Sequence, residues 1–308
     1  MELPEEGFSS SLRSNALVDW FAKYDSADNL SPSYPEPLTL GAVLAMADAE
    51  QQAEWEGMTL GYAEGKGGVE LRRDVAALYE TLGPEHVLSC VPDEGIFLGL
   101  MALLKPGDEV IVTCPAYASL YEIAHAQGCA VRHWLPAVGD GSGGHAAGEL
   151  WFDNAELRGL VTERTALVVV NFPHNPTGAL PTRKEHAEMI EICRERELLL
   201  FSVSPATVAP AAAPRGRLTQ PLVAAEQDEM YRLLEYDEAD RLPAACDAYE
   251  LGVSLGGMSK AYALPGVRVG WLCTRCQPVL EATLRVKTYT TICVSRWSGS
   301  GSGSGHSY

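Results

Sequence analysis

Two segments of this 308-residue chain carry side chains with chemistry to offer. The first, Asn171-Phe172-Pro173-His174-Asn175-Pro176-Thr177-Gly178, follows a run of apolar residues and sets an amide beside a proline turn. The second runs from Ser254 to Trp271 and contains Ser259-Lys260 and, eight residues after the lysine, Arg268. A lysine amine adds to carbonyl groups and, once free, acts as a general base. A guanidinium grips a phosphate or carboxylate through two parallel hydrogen bonds, and a serine hydroxyl adds a further donor. Competing chemistries lack their constellations. The histidines are scattered with no His/Asp/Ser arrangement, and Cys273-x-x-Cys276 has neither the second pair of a zinc site nor a thioredoxin-like context, so no metal site is expected. Gly65-Lys66-Gly67-Gly68 has no strand before it and no Lys-Ser/Thr after it, and reads as a helix-entry loop rather than a phosphate loop.

The elements that must position these residues are legible as an alternation of strands and helices. Apolar spacing predicts helices over Gly68 to Leu82 and Glu94 to Leu104, the second closed by Lys105-Pro106-Gly107-Asp108. Glu109 to Thr113 and Ala130 to Trp134 read as strands flanking a helix over Ser119 to Ala126, and Asp140 to Gly148 as a surface loop. Ala166 to Val170 is too uniformly apolar to face water on either side. Thr182-x-x-Glu185 forms a capping box opening a helix to about Arg196, followed by a strand over Leu198 to Phe201. This alternation implies an α/β domain with a mainly parallel sheet covered on both faces, whose ligands bind beyond the carboxyl ends of the strands. The first sixty residues, with Pro32, Pro35 and Pro37, read as a loop-rich arm.

In this order and spacing the two segments resemble the signatures of the fold type I pyridoxal-phosphate enzymes, in particular the class I/II aminotransferase family. The resemblance runs from about Phe21 to Cys293. It implies the three-layer large domain of that fold over residues 61–293, with pyridoxal 5'-phosphate as cofactor. Lys260 takes the place of the Schiff-base lysine, Asp228 that of the partner of the ring nitrogen, and Tyr231 and Asn175 those of the donors to the ring's phenolic oxygen. Arg268 and Ser259 match the phosphate ligands, Tyr117 the aromatic stacked on the ring, and Tyr62 the tyrosine that reaches the neighbouring subunit's phosphate, which implies a homodimer. Two positions depart from the family pattern. Gly257 stands where many members carry serine, and Val91-Pro92-Asp93-Glu94 stands where many have small residues. Backbone N–H groups at that helix start can bind phosphate, but Asp93 and Glu94 are electrostatically unhelpful there. His174 lies at a variable position and receives no role.

Two segments fall outside the pattern. The family's strand runs straight into the cofactor aspartate, whereas here Val203 to Gln227 intervene, 25 residues with 4 Pro, 7 Ala and no aromatic. The last 15 residues, from Val294, hold 6 Ser and 4 Gly. Such compositions build no core. Both segments begin with valine, the form of a retained intron read in frame, the second forming a Ser/Gly-rich tail over 294–308. Only 48 residues follow Lys260, so the small C-terminal domain that supplies the family's substrate-carboxylate arginine is expected to be missing. Arg275, Arg285 and Arg296 do not sit in that arginine's context.

Composition narrows the function further. The 46% apolar content supports a sizeable core, and the net charge of −18 repels nucleic-acid backbones and anionic lipid. No stretch approaches the ~18 to 20 apolar residues of a membrane span, and the acidic first residues are unlike a targeting peptide. A cytoplasmic enzyme is therefore expected, transferring an amino group between an amino acid and a 2-oxo acid. The alternatives are a lyase, cyclase or decarboxylase of the same fold, and a non-catalytic truncated product.

Overall fold

The computed structural model describes residues 11–13, 16–24, 35–142, 144–202, 237 and 240–295. The expected insertion at 203–227, Asp228, Tyr231, Arg296 and most of the tail lie outside the described residues. The helices are α1 (Ala16–Lys23), α2 (Leu40–Leu44), α3 (Ala49–Glu56), α4 (Val69–Ala76), α5 (Pro92–Leu103), α6 (Ser119–Ala126), α7 (Asn154–Leu160), α8 (Arg183–Glu195), α9 (Ala245–Ala248) and α10 (Gln277–Lys287). The strands are β1 (Val87–Cys90), β2 (Glu109–Thr113), β3 (Ala130–Trp134), β4 (Ala137–Val138), β5 (Leu150–Trp151), β6 (Thr165–Val170), β7 (Leu199–Ser202), β8 (Gly252–Gly257) and β9 (Gly270–Cys273).

Seven strands form one sheet in the order β1-β9-β8-β7-β6-β2-β3. Neighbours from β8 to β3 are parallel, while β9 runs antiparallel to both β8 and β1. Six strands therefore deliver their carboxyl ends to one edge, and β9 begins there. Strand β6 shows why its sequence is apolar throughout. Leu167 and Val169 face one core with Leu98, Leu100 and Phe201, whereas Val168 and Val170 face another with Trp134, Met189 and Ile190. Both faces are covered by helices, the mostly parallel three-layer arrangement expected of the fold type I large domain.

Local signals and tertiary capture divide the helix boundaries. Helix α8 opens on the expected capping box, with Glu185 N–H donating to Thr182 Oγ1 at 3.2 Å and Thr182 N–H to Glu185 Oε2 at 2.7 Å. The helix expected to reach Leu82 stops at Ala76. Beyond it, Asp247 from the far side of the chain takes the Glu80 and Thr81 N–H groups at 3.1 and 2.9 Å, so these donors serve a distant carboxylate instead of a further helical turn. The arm is less loop-like than its prolines imply, since Asp48 and Gln51 form a capping box on α3. The loop over 140–148 joins the short antiparallel pair β4 and β5.

Helix α5 lies close against the sheet. A side chain at Gly95 would meet Leu255 Cδ1 at 2.3 Å, and one at Gly99 would meet Phe201 Cε2 at 2.8 Å. That close approach sets the amino end of α5 at the edge where the strands end.

Candidate active site

Every described site residue except Tyr62 sits on a segment that leaves or enters this one edge. Strand β2 leads to Tyr117, β6 to Asn175, and β8 to Ser259 and Lys260; Arg268 precedes β9, and β1 feeds α5 through Val91. The β8–β9 ladder continues one step past the strands, Met258 N–H donating to the Val269 carbonyl at 2.9 Å. Ser259 and Arg268 are the next residues out on the two chains. Ser259 is buried, Lys260 half-buried and Arg268 exposed. Tyr117 is half-buried against the core beside α6. Tyr62 stands apart from these loops, 77% exposed in the segment before α4.

The turn carrying Asn175 is built from its neighbours. Gly178 N–H donates to the His174 carbonyl at 2.7 Å and His174 N–H to the Ala179 carbonyl at 2.8 Å. The His174 ring, fully buried, has Nδ1 2.7 Å from Thr177 Oγ1 and meets the Phe152 ring edge-on at 4.7 Å. Gly178 adopts the left-handed φ of +73° that closes the turn. His174, without a role in the sequence reading, is thus the pin of this turn. Burial pushes its pKa down to about 4, against a weaker upward pull from the Pro115 carbonyl.

The consequence is a pH dependence of stability. The unfolded imidazole takes up a proton near pH 6.5 and the folded one only near 4, so the contribution is complete above pH 6.5 and lost as pH falls toward 4. The size is ~3 kcal/mol. Denaturant midpoints measured from pH 7 to 4.5 are expected to decline more steeply for the wild type than for His174→Gln. Parallel declines would remove His174 as the cause.

The two departures from the family pattern touch one another. A Cβ at Gly257 would lie 2.8 Å from Pro92 Cγ and 3.2 Å from the Val269 carbonyl, and one at Gly270 would lie 2.8 Å from the same Pro92 Cγ. The proline ring fills the space a serine at 257 would need. Gly257→Ser is expected to cost ~1–3 kcal/mol by overpacking, and Pro92→Ala in the same chain to restore part of it, read as shifts in urea midpoint.

The acidic helix start is compensated. Glu94 accepts from Thr290 Oγ1 at 2.6 Å, Thr291 Oγ1 at 2.7 Å and Val91 N–H at 3.3 Å, with Lys287 Nζ at 3.4 Å. Burial would raise its pKa, but the two hydroxyls, then the Lys287 charge, hold it below the ordinary carboxylate value. Asp93 Oδ2 lies 3.5 Å from Arg268 Nη2. Arg268 Nη1 donates to the Pro265 carbonyl at 3.2 Å, from a left-handed backbone (φ 57°, ψ 41°).

Other candidates are otherwise engaged. Arg275 donates to the Cys246 and Asp247 carbonyls at 2.8 and 3.1 Å, which ties it to the end of α9. None of the eight cysteines forms a disulfide, and among the described residues no cluster of three His, Cys, Asp or Glu side chains could hold a metal. A groove of about 440 Å³ beside α7 and α8, lined by His145, Trp151, Arg158 and Glu188 among others, contains none of the expected site residues. No helix among the described residues is long and apolar enough to cross a membrane.

A three-layer α/β domain with a lysine, an arginine and a serine gathered at the carboxyl edge of its sheet is the large domain of a fold type I enzyme. The family model for class I and II aminotransferases matches residues 33–202 and 227–302, and the chain belongs to that family, whose cofactor is pyridoxal phosphate. Its relatives include the capreomycidine synthase of Streptomyces vinaceus, 30% identical over 91% of this chain and 64% of that protein. The alanine aminotransferase of Mycobacterium tuberculosis is 31% identical over 69% of this chain and 44% of its own length. The chain thus spans less than two thirds of these curated relatives. Among solved structures, a PLP-dependent aminotransferase from Streptococcus suis superposes with a TM-score of 0.74 at 24% identity, over 93% of this chain and 68% of that one. The PLP-dependent cyclase OrfR superposes with a TM-score of 0.71 at 25% identity, over 97% and 68% respectively.

The donor set fits this cofactor. A primary amine, a guanidinium, a buried hydroxyl, an amide and an aromatic ring, on four segments of one sheet edge, match an aldehyde, a phosphate ester, a phenolic oxygen and a ring face.

Proposed function

We propose that this chain is the cofactor-binding part of a pyridoxal-phosphate aminotransferase that moves an amino group between an amino acid and a 2-oxo acid in the cytoplasm. The observation that carries this reading is the convergence of Lys260, Ser259, Arg268, Asn175 and Tyr117 on the carboxyl edge of the sheet. When bound, pyridoxal phosphate supplies an aldehyde that condenses with amines and a ring that accepts electron density from the substrate's α-carbon. Lys260 Nζ would hold the aldehyde carbon and, once displaced, carry a proton at the α-carbon. Arg268 and Ser259 would bind the phosphate, Asn175 would donate to the ring oxygen, and Tyr117 would cover the ring face and exclude water from it. Asp228 would keep the ring nitrogen protonated, and Tyr231 would be the second donor to the ring oxygen. Tyr62, exposed in the segment before α4, would reach the phosphate of a second copy, making the active unit a homodimer.

The passage of the family match from residue 202 to residue 227 supports reading 203–227 as an insertion ahead of Asp228. Sequencing of cDNA across both junctions tests whether that segment and the tail are retained in the message.

A second reading is a cyclase or lyase, favoured by the names of two similar proteins, the capreomycidine synthase and the cyclase OrfR. Purified protein loaded with pyridoxal phosphate and given single amino acids distinguishes them. Conversion of the cofactor to its amine form, reversed by a 2-oxo acid, supports transamination. A cyclised or decarboxylated product with the cofactor unchanged supports the second reading. Protein that retains no cofactor overturns both and leaves a non-catalytic product.

A further inference from the structure

The first turn of α5 carries two adjacent carboxylates with different fates. Glu94 is consumed internally by Lys287, Thr290, Thr291 and the Val91 N–H, so its charge is balanced within the protein. Asp93 is balanced by Arg268, at 3.5 Å between half-exposed side chains. Arg268 is the cation this chain offers to a phosphate ester, and Pro92 contributes no N–H to the same helix end. Pro92 also closes the position beside Gly257 where a serine hydroxyl would otherwise add a donor.

From this juxtaposition we infer that Asp93 is an internal competitor for the phosphate site, a residue that sets how strongly this chain discriminates phosphorylated from unphosphorylated aldehyde cofactor. The inference rests on the proposed pyridoxal-phosphate reading and deepens it. A phosphate dianion drawing on Arg268 must share the guanidinium with Asp93 or displace it, and in either case sits close to a third negative charge. The 3.5 Å separation and half-exposed setting make the Asp93–Arg268 pair weak enough to exchange. The carboxylate persists there because an acid in the first turn of a helix favours that helix. Asp93 therefore stabilises α5 while working against an external anion at its amino end. Unphosphorylated pyridoxal, which uses Lys260 but makes no demand on Arg268, escapes this competition.

Equilibrium titration of the full chain with pyridoxal phosphate and, separately, with pyridoxal tests this. Asp93→Ser is expected to tighten pyridoxal phosphate by about tenfold and to leave pyridoxal within about twofold. Asp93→Asn, which keeps the side chain's size, is expected to move in the same direction. Neither variant should melt higher than wild type without ligand, so tighter binding cannot be ascribed to general stabilisation. Unchanged or weaker pyridoxal-phosphate binding in both variants, or equal tightening of the two aldehydes, overturns the inference and leaves the cofactor reading standing. Failure of wild type and both variants to bind either aldehyde overturns the cofactor reading itself, and this inference with it.

Discussion

Lys260→Ala is expected to abolish covalent retention of pyridoxal phosphate and to lower amino-group transfer by about 10³-fold or more, because one amine serves both as the anchor and as the proton carrier. The position favours a clean experiment. Lys260 lies beyond the end of β8, half-buried and outside the core clusters. Circular dichroism and melting of the variant accompany the assay, so that loss of retention is separated from loss of fold. Borohydride reduction of the loaded wild type, followed by peptide mass spectrometry, should place the cofactor's mass on the peptide containing Lys260, and on no peptide of the variant. Attachment at another lysine, or undiminished transfer by the alanine variant, would refute the assignment. Lys260→Arg separates charge from nucleophilicity: it keeps a cation at the edge but is expected to fail as fully as alanine, since a guanidinium stays protonated.

Much of the scaffold behind that lysine was legible in the chain. Ala166 to Val170 of strand β6 is a short apolar run with no polar face, so burial on both sides was the consistent reading, and it leads directly to a site segment. The Thr182–Glu185 box marked the start of α8 because capping is a local interaction three residues wide. What escaped the sequence is what depends on distant residues. Pro92 and Gly257 account for one another only once the amino end of α5 rests on β8. Asp93 and Arg268 are 175 residues apart, and Glu94 and Lys287 are 193 apart. Helix α4 stops short of Leu82, and past its last turn Asp247 takes the Glu80 and Thr81 N–H groups, a partner that helical periodicity cannot register. His174 escaped for another reason. A histidine in a variable position gives no sign of being fully buried and held neutral beside a threonine.

Lys287→Met is expected to destabilise the domain by ~3 kcal/mol, the cost of leaving a buried carboxylate without its counter-ion. Lys287 is fully buried at the end of α10 and reaches Glu94 in the first turn of α5 at 3.4 Å, with the Glu94 side chain 10% exposed. Methionine conserves the length of the side chain but not its charge. In a domain of this size the loss corresponds to a fall in Tm of about 10 °C. The decisive comparison is with Glu94→Gln in the same chain, which removes the stranded charge while keeping an oxygen for Thr290 and Thr291. The double variant is expected to recover about 2 kcal/mol of the deficit. The pH profile supplies an independent sign. With Lys287 present, Glu94 titrates below its ordinary value, so the ionised pair stabilises the fold above pH ~4.5 and loses that contribution in acid. Without Lys287 the balance shifts toward burial, the largest influence on this carboxyl, which raises its pKa. The deficit of Lys287→Met should accordingly be greatest at neutral pH and shrink as the solution is taken toward pH 4. A loss under about 1 kcal/mol, or one that Glu94→Gln does not relieve, would mean that the hydroxyls of Thr290 and Thr291 satisfy Glu94 without the Lys287 charge.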